Sequence, residues 1–277
     1  MSSKYLQMLS MLENLVRQVA QHDIVPLFNS GEFDEQVKLD GSVLTAVDKI
    51  VQDKLEIALK KRWPEIAFLG EEMSAKEQQD LLNSKSVWCL DPVDGTSNFA
   101  SGIPFFAVSL ALVENQEVKL GLIYDPVRKE CFTAIKDEGC WLNGAELSIG
   151  SPKEVELQLG EMIAVVDLKR LDKSLLGTIC KEHPFRSQRN FGSCALEWCW
   201  LAANRFQLYI HGGQKLWDYA AGILIFREAG GVASTIEGEE IFSQKLEPRS
   251  VIAGYDEMSY RKWKAWIDEN NKLDPKE

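Results

Sequence analysis

Asp91-Pro92-Val93-Asp94-Gly95-Thr96-Ser97-Asn98-Phe99 follows directly on the short apolar stretch Ser86 to Leu90. Two carboxylates three residues apart thus stand at the end of a predicted buried strand, ahead of a glycine, a hydroxyl residue and a predicted helix start. Pro92 restricts Asp91 to extended geometry, so Asp91 is expected to point out of the strand end. Gly95 permits a close approach of backbone to a ligand. The N–H groups at a helix start form an anion site without a basic side chain. Carboxylates that hold hard cations, next to amides that hold phosphate, make a coherent metal–phosphate site. The plain alternative is a solvated turn in which both aspartates act as cap residues. An EF-hand is excluded, because Val93 stands where a third-position oxygen ligand belongs. A dehalogenase-type phosphatase wants its two aspartates two residues apart, which this spacing does not give.

Outward from this segment, Phe68-Leu69-Gly70 ends a short apolar piece after Pro64 and leads into Glu71-Glu72. That pair alone reads as a solvated acidic turn. Asp218, in Leu216-Trp217-Asp218-Tyr219-Ala220-Ala221-Gly222, reads alone as a helix N-cap. Together these are acidic strand or helix ends far apart in sequence. Helical spacing is expected over the first twenty residues, Thr45 to Lys61, Lys169 to Glu182, Ser193 to Ala203, Trp217 to Glu228 and a terminal segment. Strands are expected at Ile66–Leu69, Ser86–Leu90, Phe105–Val113, Val118–Tyr124, Cys131–Ile135, Met162–Val166, Phe206–Ile210 and Val251–Ala253. Such alternation indicates layered α/β or α+β packing. Ser151-Pro152 is the candidate seam of a single domain, with an α+β half over about 1–150 and an α/β half over about 151–277.

The chain has 277 residues, 45% hydrophobic and 26% charged, with a formal net charge of −11. That excess argues against direct nucleic-acid binding and against an anionic membrane surface. It also requires a local positive charge if the ligand is a phosphate, which a divalent metal would supply. The six cysteines form no C-x-x-C pair and no zinc spacing, so reduced thiols and a cytoplasmic location are expected. The start lacks a secretory signal pattern, and no stretch approaches the roughly 20 apolar residues of a membrane span.

Gly70-Glu71-Glu72, the Asp91–Phe99 segment and Trp217-Asp218-Tyr219-Ala220-Ala221-Gly222 resemble, in order and spacing, the signature segments of the inositol monophosphatase family. Glu228-Ala229-Gly230-Gly231 is similar to that family too, and the resemblance runs from about Thr45 to Ala253. It implies an α-β-α-β-α sandwich, a homodimer, and a magnesium-dependent, lithium-sensitive phosphomonoesterase acting on a small phosphate ester. Carried over, Glu71, Asp91 and the Val93 carbonyl would hold one magnesium. Asp91, Asp94 and Asp218 would hold a second, and a third ion could sit near Glu71. A metal-activated water would be oriented and deprotonated by Glu71 and Thr96, with Thr96 bonded to Asp48. The implied substrate contacts are Gly95, Thr96, Ser97, Arg189, Gly192, Ser193, His211 and Asp218.

Inositol-specific relatives tend to carry glutamate where this chain has His211. A neutral imidazole nitrogen could still accept a ring hydroxyl, or His211 could be a core residue. Arg189 reads equally as a surface ion-pair residue. Lys38-Leu39-Asp40-Gly41-Ser42 is similar to a loop of the nucleotidase and histidinol-phosphatase branches, which could bring Lys38 to the site. myo-Inositol monophosphate is the first expected substrate. The alternatives are a 3'(2'),5'-bisphosphate nucleotidase, a fructose-1,6-bisphosphatase, a histidinol-phosphatase, or a regulatory binding protein without catalysis.

Overall fold

The structure, a computed structural model, describes residues 2–37, 43–149 and 156–271. Lys38 and the expected seam at Ser151-Pro152 therefore lie outside the described residues. The chain opens with helix α1 (Ser2–Val19), which continues through a π-helical segment, Ala20–Ile24, into α2 (Val25–Ser30). A two-stranded ribbon, β1 (Glu35–Val37) and β2 (Val43–Thr45), leads to α3 (Ala46–Arg62). Then come β3 (Ala67–Gly70), α4 (Ala75–Leu81), β4 (Ser86–Asp94) and the short α5 (Thr96–Ala100). An antiparallel run follows: β5 (Ala107–Glu114), β6 (Glu117–Asp125), β7 (Glu130–Ile135), β8 (Gly139–Leu142) and β9 (Ala145–Leu147). These build a seven-stranded sheet in the order β3-β4-β5-β6-β7-β8-β9, parallel only between β3 and β4.

The remaining elements are β10 (Ile163–Val166), α6 (Lys173–Glu182), β11 (Ser187–Arg189), α7 (Cys194–Ala202) and β12 (Leu208–Gln214). After them come α8 (Leu216–Glu228), β13 (Val232–Ser234), β14 (Arg249–Gly254) and α9 (Glu257–Asn270). A second, five-stranded sheet runs β11-β10-β12-β14-β13.

Side-chain alternation along each strand sets the layering. On β4, Trp88 and Leu90 face a core shared with α1 and α3, while Val87 and Cys89 face one shared with α7 and α8. On β12, Tyr209 turns toward α7 and α8, whereas Leu208 and Ile210 turn toward α6 and α9. Helices thus cover both outer faces and fill the space between the sheets, giving the expected α-β-α-β-α sandwich. Helix α8 lies very close to β6: a Cβ on Gly121 would meet the Ala221 carbonyl oxygen at 2.8 Å. Only a glycine allows that contact.

Two local expectations change. The helix expected from Lys169 begins at Lys173, because Asp172 caps it through bonds from the Ser174 and Leu175 N–H groups at 2.8 and 3.3 Å. Asp218 is not an N-cap but sits in the first turn of α8, where its Oδ2 accepts the Lys215 N–H at 2.9 Å. No helix of the described residues is long and apolar enough to cross a membrane, and all six cysteines are free thiols.

Candidate metal centre and active site

A strand places residues of odd separation on opposite faces, so Asp91 and Asp94 would diverge in a regular β4. They do not diverge. Asp91 pairs with Ser109 and Asp94 with Ala107, an extra residue on β4 that marks a bulge over Pro92-Val93. Both carboxylates consequently face one side, and the bulge is held by the Val93 N–H donating to Asp91 Oδ1 at 3.0 Å. Gly95 follows at φ +94°, where a Cβ would press on the Phe105 carbonyl oxygen at 3.0 Å. Phe99 closes the segment, buried against Phe28 and Phe106 at ring distances of 5.6 and 5.2 Å.

The other acids are brought in by equally specific contacts. Glu71 begins the turn after β3, which is clamped from two sides. The Gln52 Oε1 accepts the Glu72 N–H at 3.0 Å, and the Gln78 amide donates to the Gly70 and Glu71 carbonyls, each at 3.0 Å. The start of α8 is tied to the strand partner of Asp91, because the Ser109 hydroxyl donates to the Trp217 carbonyl at 3.1 Å. Asp91, Asp94 and Asp218 each present an oxygen, and these lie within 4.8 Å of one another. They line a cavity of about 670 Å³ with Glu71, Val93, Gly95, Thr96, Ser97, Gly192 and His211.

Asp48 and Ser193 support this wall from behind. Asp48, fully buried, takes the Thr45 N–H and hydroxyl on Oδ2 at 2.7 and 2.6 Å. Its Oδ1 lies 3.1 Å from the Thr96 hydroxyl, which also lies 2.9 Å from the Val93 carbonyl. One hydroxyl proton serves only one of these acceptors at a time. Ser193 donates to Asp94 Oδ2, which also accepts the Ala195 N–H at 2.8 Å. Arg189 is not part of the lining: it is exposed on an edge strand, its guanidinium bonded to Ser187 Oγ and the Gln188 carbonyl at 2.6 and 2.8 Å.

His211, open in the sequence between a substrate acceptor and a core residue, is 3% exposed. Its Nδ1 accepts the Gly213 N–H at 3.0 Å, which fixes the proton on Nε2, 2.9 Å from Asp167 Oδ2. Both nitrogens are engaged within the protein, so neither is open to a substrate hydroxyl.

The electrostatics show what the acid cluster lacks. Burial first, then the neighbouring carboxylates Glu71, Asp94 and Asp218, push Asp91 well above the usual range. Asp218 rises to about 7 through burial, Asp94 and Glu71. Asp94 rises to about 7 through burial, against the bonds from Ser193 and Ala195. Clustered buried carboxylates want protons or a cation. The donors offered are carboxylate and carbonyl oxygens, which suit magnesium, calcium or manganese rather than a soft metal.

A linkage prediction follows. A carboxyl raised in the folded state contributes stability that is present below its unfolded value, near 3.8, and lost as pH rises through about 7. A divalent cation held there would replace those protons. The magnesium-induced rise in Tm, measured against chelator, is expected to be large at pH 8 and to shrink steadily toward pH 5.5. A rise independent of pH would remove these carboxyls from the ion site.

Several lining residues carry no signal in the sequence motifs, among them Asp167, Lys169, Arg170, Glu197 and Lys215. Glu197 is the one carboxylate in the apolar helix Cys194–Ala202, which is itself a hint that it has buried partners. Its Oε1 accepts the Phe191 and Gly192 N–H groups at 3.0 and 3.1 Å, and its Oε2 accepts the Tyr209 hydroxyl at 2.7 Å. It thereby holds the loop that packs against Gly95.

The profile of the inositol monophosphatase family matches residues 7–269. The chain is 37% identical over 215 residues to inositol monophosphatase 1 of Solanum lycopersicum, covering 74% of this chain and 77% of that one. It is 36% identical over 192 residues to Nus factor SuhB of Haemophilus influenzae, covering 68% and 70%. An IMPase of Thermotoga maritima superposes with a TM-score of 0.82 at 26% identity, covering 96% of this chain and 98% of that one. The family match thus spans almost the whole of a chain that carries a bulged Asp-Pro-Val-Asp strand end, a clamped Glu71 turn and Asp218 on the central helix: the chain belongs to the inositol monophosphatase family.

Proposed function

We propose that the chain is a magnesium-dependent phosphomonoesterase that hydrolyses a small phosphorylated alcohol, with myo-inositol monophosphate the first candidate. The observation that carries the reading is the meeting of Asp91, Asp94 and Asp218 oxygens within 4.8 Å on the wall of one cavity with Glu71. In this reading Glu71, Asp91 and the Val93 carbonyl hold one cation, and Asp91, Asp94 and Asp218 a second. When bound, the cations supply positive charge for the phosphoryl oxygens and water activation at neutral pH.

The chain's own groups do the rest. Thr96, backed by Asp48, orients the attacking water, and Glu71 takes its proton. Gly95, Thr96 and Ser97 face the phosphoryl group. Gly192, held by Glu197, closes the side toward the alcohol. The leaving oxygen departs beside Asp218, where a water supplies its proton. Each part supports in-line displacement with no phosphorylated side chain.

A panel of myo-inositol 1-phosphate, fructose 1,6-bisphosphate, 3'-phosphoadenosine 5'-phosphate and histidinol phosphate tests the reading. Magnesium-dependent release of phosphate from at least one is expected, and no turnover of any of them overturns it.

A homodimer is also part of the proposal. Ile103 and Val127 are exposed, and their chain neighbours are joined where the Arg128 guanidinium donates to the Pro104 carbonyl at 2.8 Å. Light scattering is expected to give twice 31.3 kDa, and a monomer mass at micromolar concentration would reject the pairing.

A further inference from the structure

The cavity has two chemically opposite walls. One is the acid cluster. The other is formed by the turn after β10 and the end of β12, and it presents Lys169, Arg170 and Lys215 to the same space. In a chain with a net charge of −11, three cationic side chains in one cavity call for a reason.

The carboxylates near that wall are already committed. Asp167 Oδ1 accepts the Lys169 N–H at 2.8 Å, while Oδ2 accepts Arg170 Nη1 at 3.0 Å and His211 Nε2 at 2.9 Å. Burial works against its charge, yet His211, Lys169 and Arg170 hold its carboxyl well below the usual range. Glu197 takes two backbone N–H groups and the Tyr209 hydroxyl. His211 has both ring nitrogens engaged. A neutral polyol is recognised by acceptors that take its hydroxyl protons, and here Asp167, Glu197 and His211 are engaged by internal donors. Arg170 balances the charge of Asp167, and the positive charge this wall adds comes from Lys169 and Lys215.

The turn is also fixed in place. A Cβ on Gly212 would lie 1.9 Å from the Arg170 carbonyl oxygen, so only glycine lets β12 and the Lys169–Arg170 backbone come together. Lys215 is anchored by its N–H bond to Asp218, and its ammonium lies 5.5 Å from the Trp217 ring centre. The cationic wall therefore has a set position relative to the acid cluster.

We propose that this wall is a second anion subsite, and that the preferred substrate is a phosphorylated alcohol bearing another anionic group, a phosphate or a carboxylate, on its alcohol part. The inference rests on the phosphatase reading above and narrows its substrate class. The scissile phosphate meets the acid cluster with its cations, and the second anion meets Lys169 and Lys215, with Arg170 held beside them by Asp167.

Matched substrate pairs test it. Inositol 1-phosphate is compared with inositol 1,4-bisphosphate, and glycerol 2-phosphate with glycerate 2-phosphate, by kcat/KM in excess magnesium. Charge-assisted bonds predict a preference of at least about tenfold for the doubly anionic member of one pair or both, and the preferred pair identifies phosphate or carboxylate. That preference is expected to fall severalfold between 50 and 500 mM salt, because its source is charge. It is also expected to collapse toward unity in a Lys169→Met, Lys215→Met double variant. Turnover of both members of each pair at equal kcat/KM overturns the subsite and leaves the phosphatase reading standing. A preference insensitive to both salt and the double substitution overturns it as well. Absence of turnover on all four compounds, with the same enzyme also inactive on the wider panel, overturns both readings.

Discussion

An Asp94→Asn chain is expected to turn over at least about a hundredfold more slowly than the parent, a loss of about 2.7 kcal/mol of transition-state stabilisation. Asp94 is buried, and its Oδ2 already accepts Ser193 Oγ and the Ala195 N–H. An asparagine keeps the volume and one acceptor but gives up the charge that would face a cation. Stability should move the other way. The substitution removes one carboxylate from a set in which Asp94 raises both Asp91 and Asp218. The variant's Tm in chelator is thus expected to equal or exceed that of the parent. A rate near the parental value would take Asp94 out of the site, while a collapse in Tm would make its role one of folding.

Exhaustive chelation is expected to abolish turnover, with full recovery on adding magnesium back. Without cations the cavity confronts a phosphate ester with Glu71, Asp91, Asp94 and Asp218, and each negative group repels the ligand. The three basic residues lie on the other wall and do not cancel this repulsion at the reacting phosphate. Turnover that persists in chelator at the parental rate would sink the proposed chemistry. Thermal melting under the same conditions keeps the result interpretable, because a folded, inactive, rescuable enzyme is the expected state.

Most of the acidic cluster was legible in the sequence because each member ends a regular element. Strand ends and helix starts leave short, recognisable punctuation: Gly70 before Glu71, Pro92 after Asp91, Gly95 after Asp94. The layer order was legible through the family resemblance and through the alternation of strand and helix patterns. The basic wall was not. Residues Lys169 and Arg170 were expected to start a helix, where they would read as a solvated face. The Asp172 cap moves the helix start to Lys173 and leaves them in a turn. Asp172 followed by Ser174 could have signalled this. For His211 the two readings, substrate acceptor or core residue, stayed open because sequence gives no view of its partners, Gly213 and Asp167. Asp167 itself, a strand-end carboxylate after Val166, carried the same kind of signal as Asp91 but lacked a proline or glycine to mark it.

The position of α8 between the two sheets has a mechanical consequence. Asp218 rides on this middle helix, whereas Asp91 and Asp94 lie on β4 of the seven-stranded sheet and Glu71 just after its neighbour β3. A divalent ion seated among them would act as a rivet through adjacent layers. Its loss through the cavity would leave the helix and the strands joined by packing alone, such as the close approach of Gly121 to Ala221. Occupancy and the breathing of the central layer become one process: a loaded enzyme is also a stiffer one.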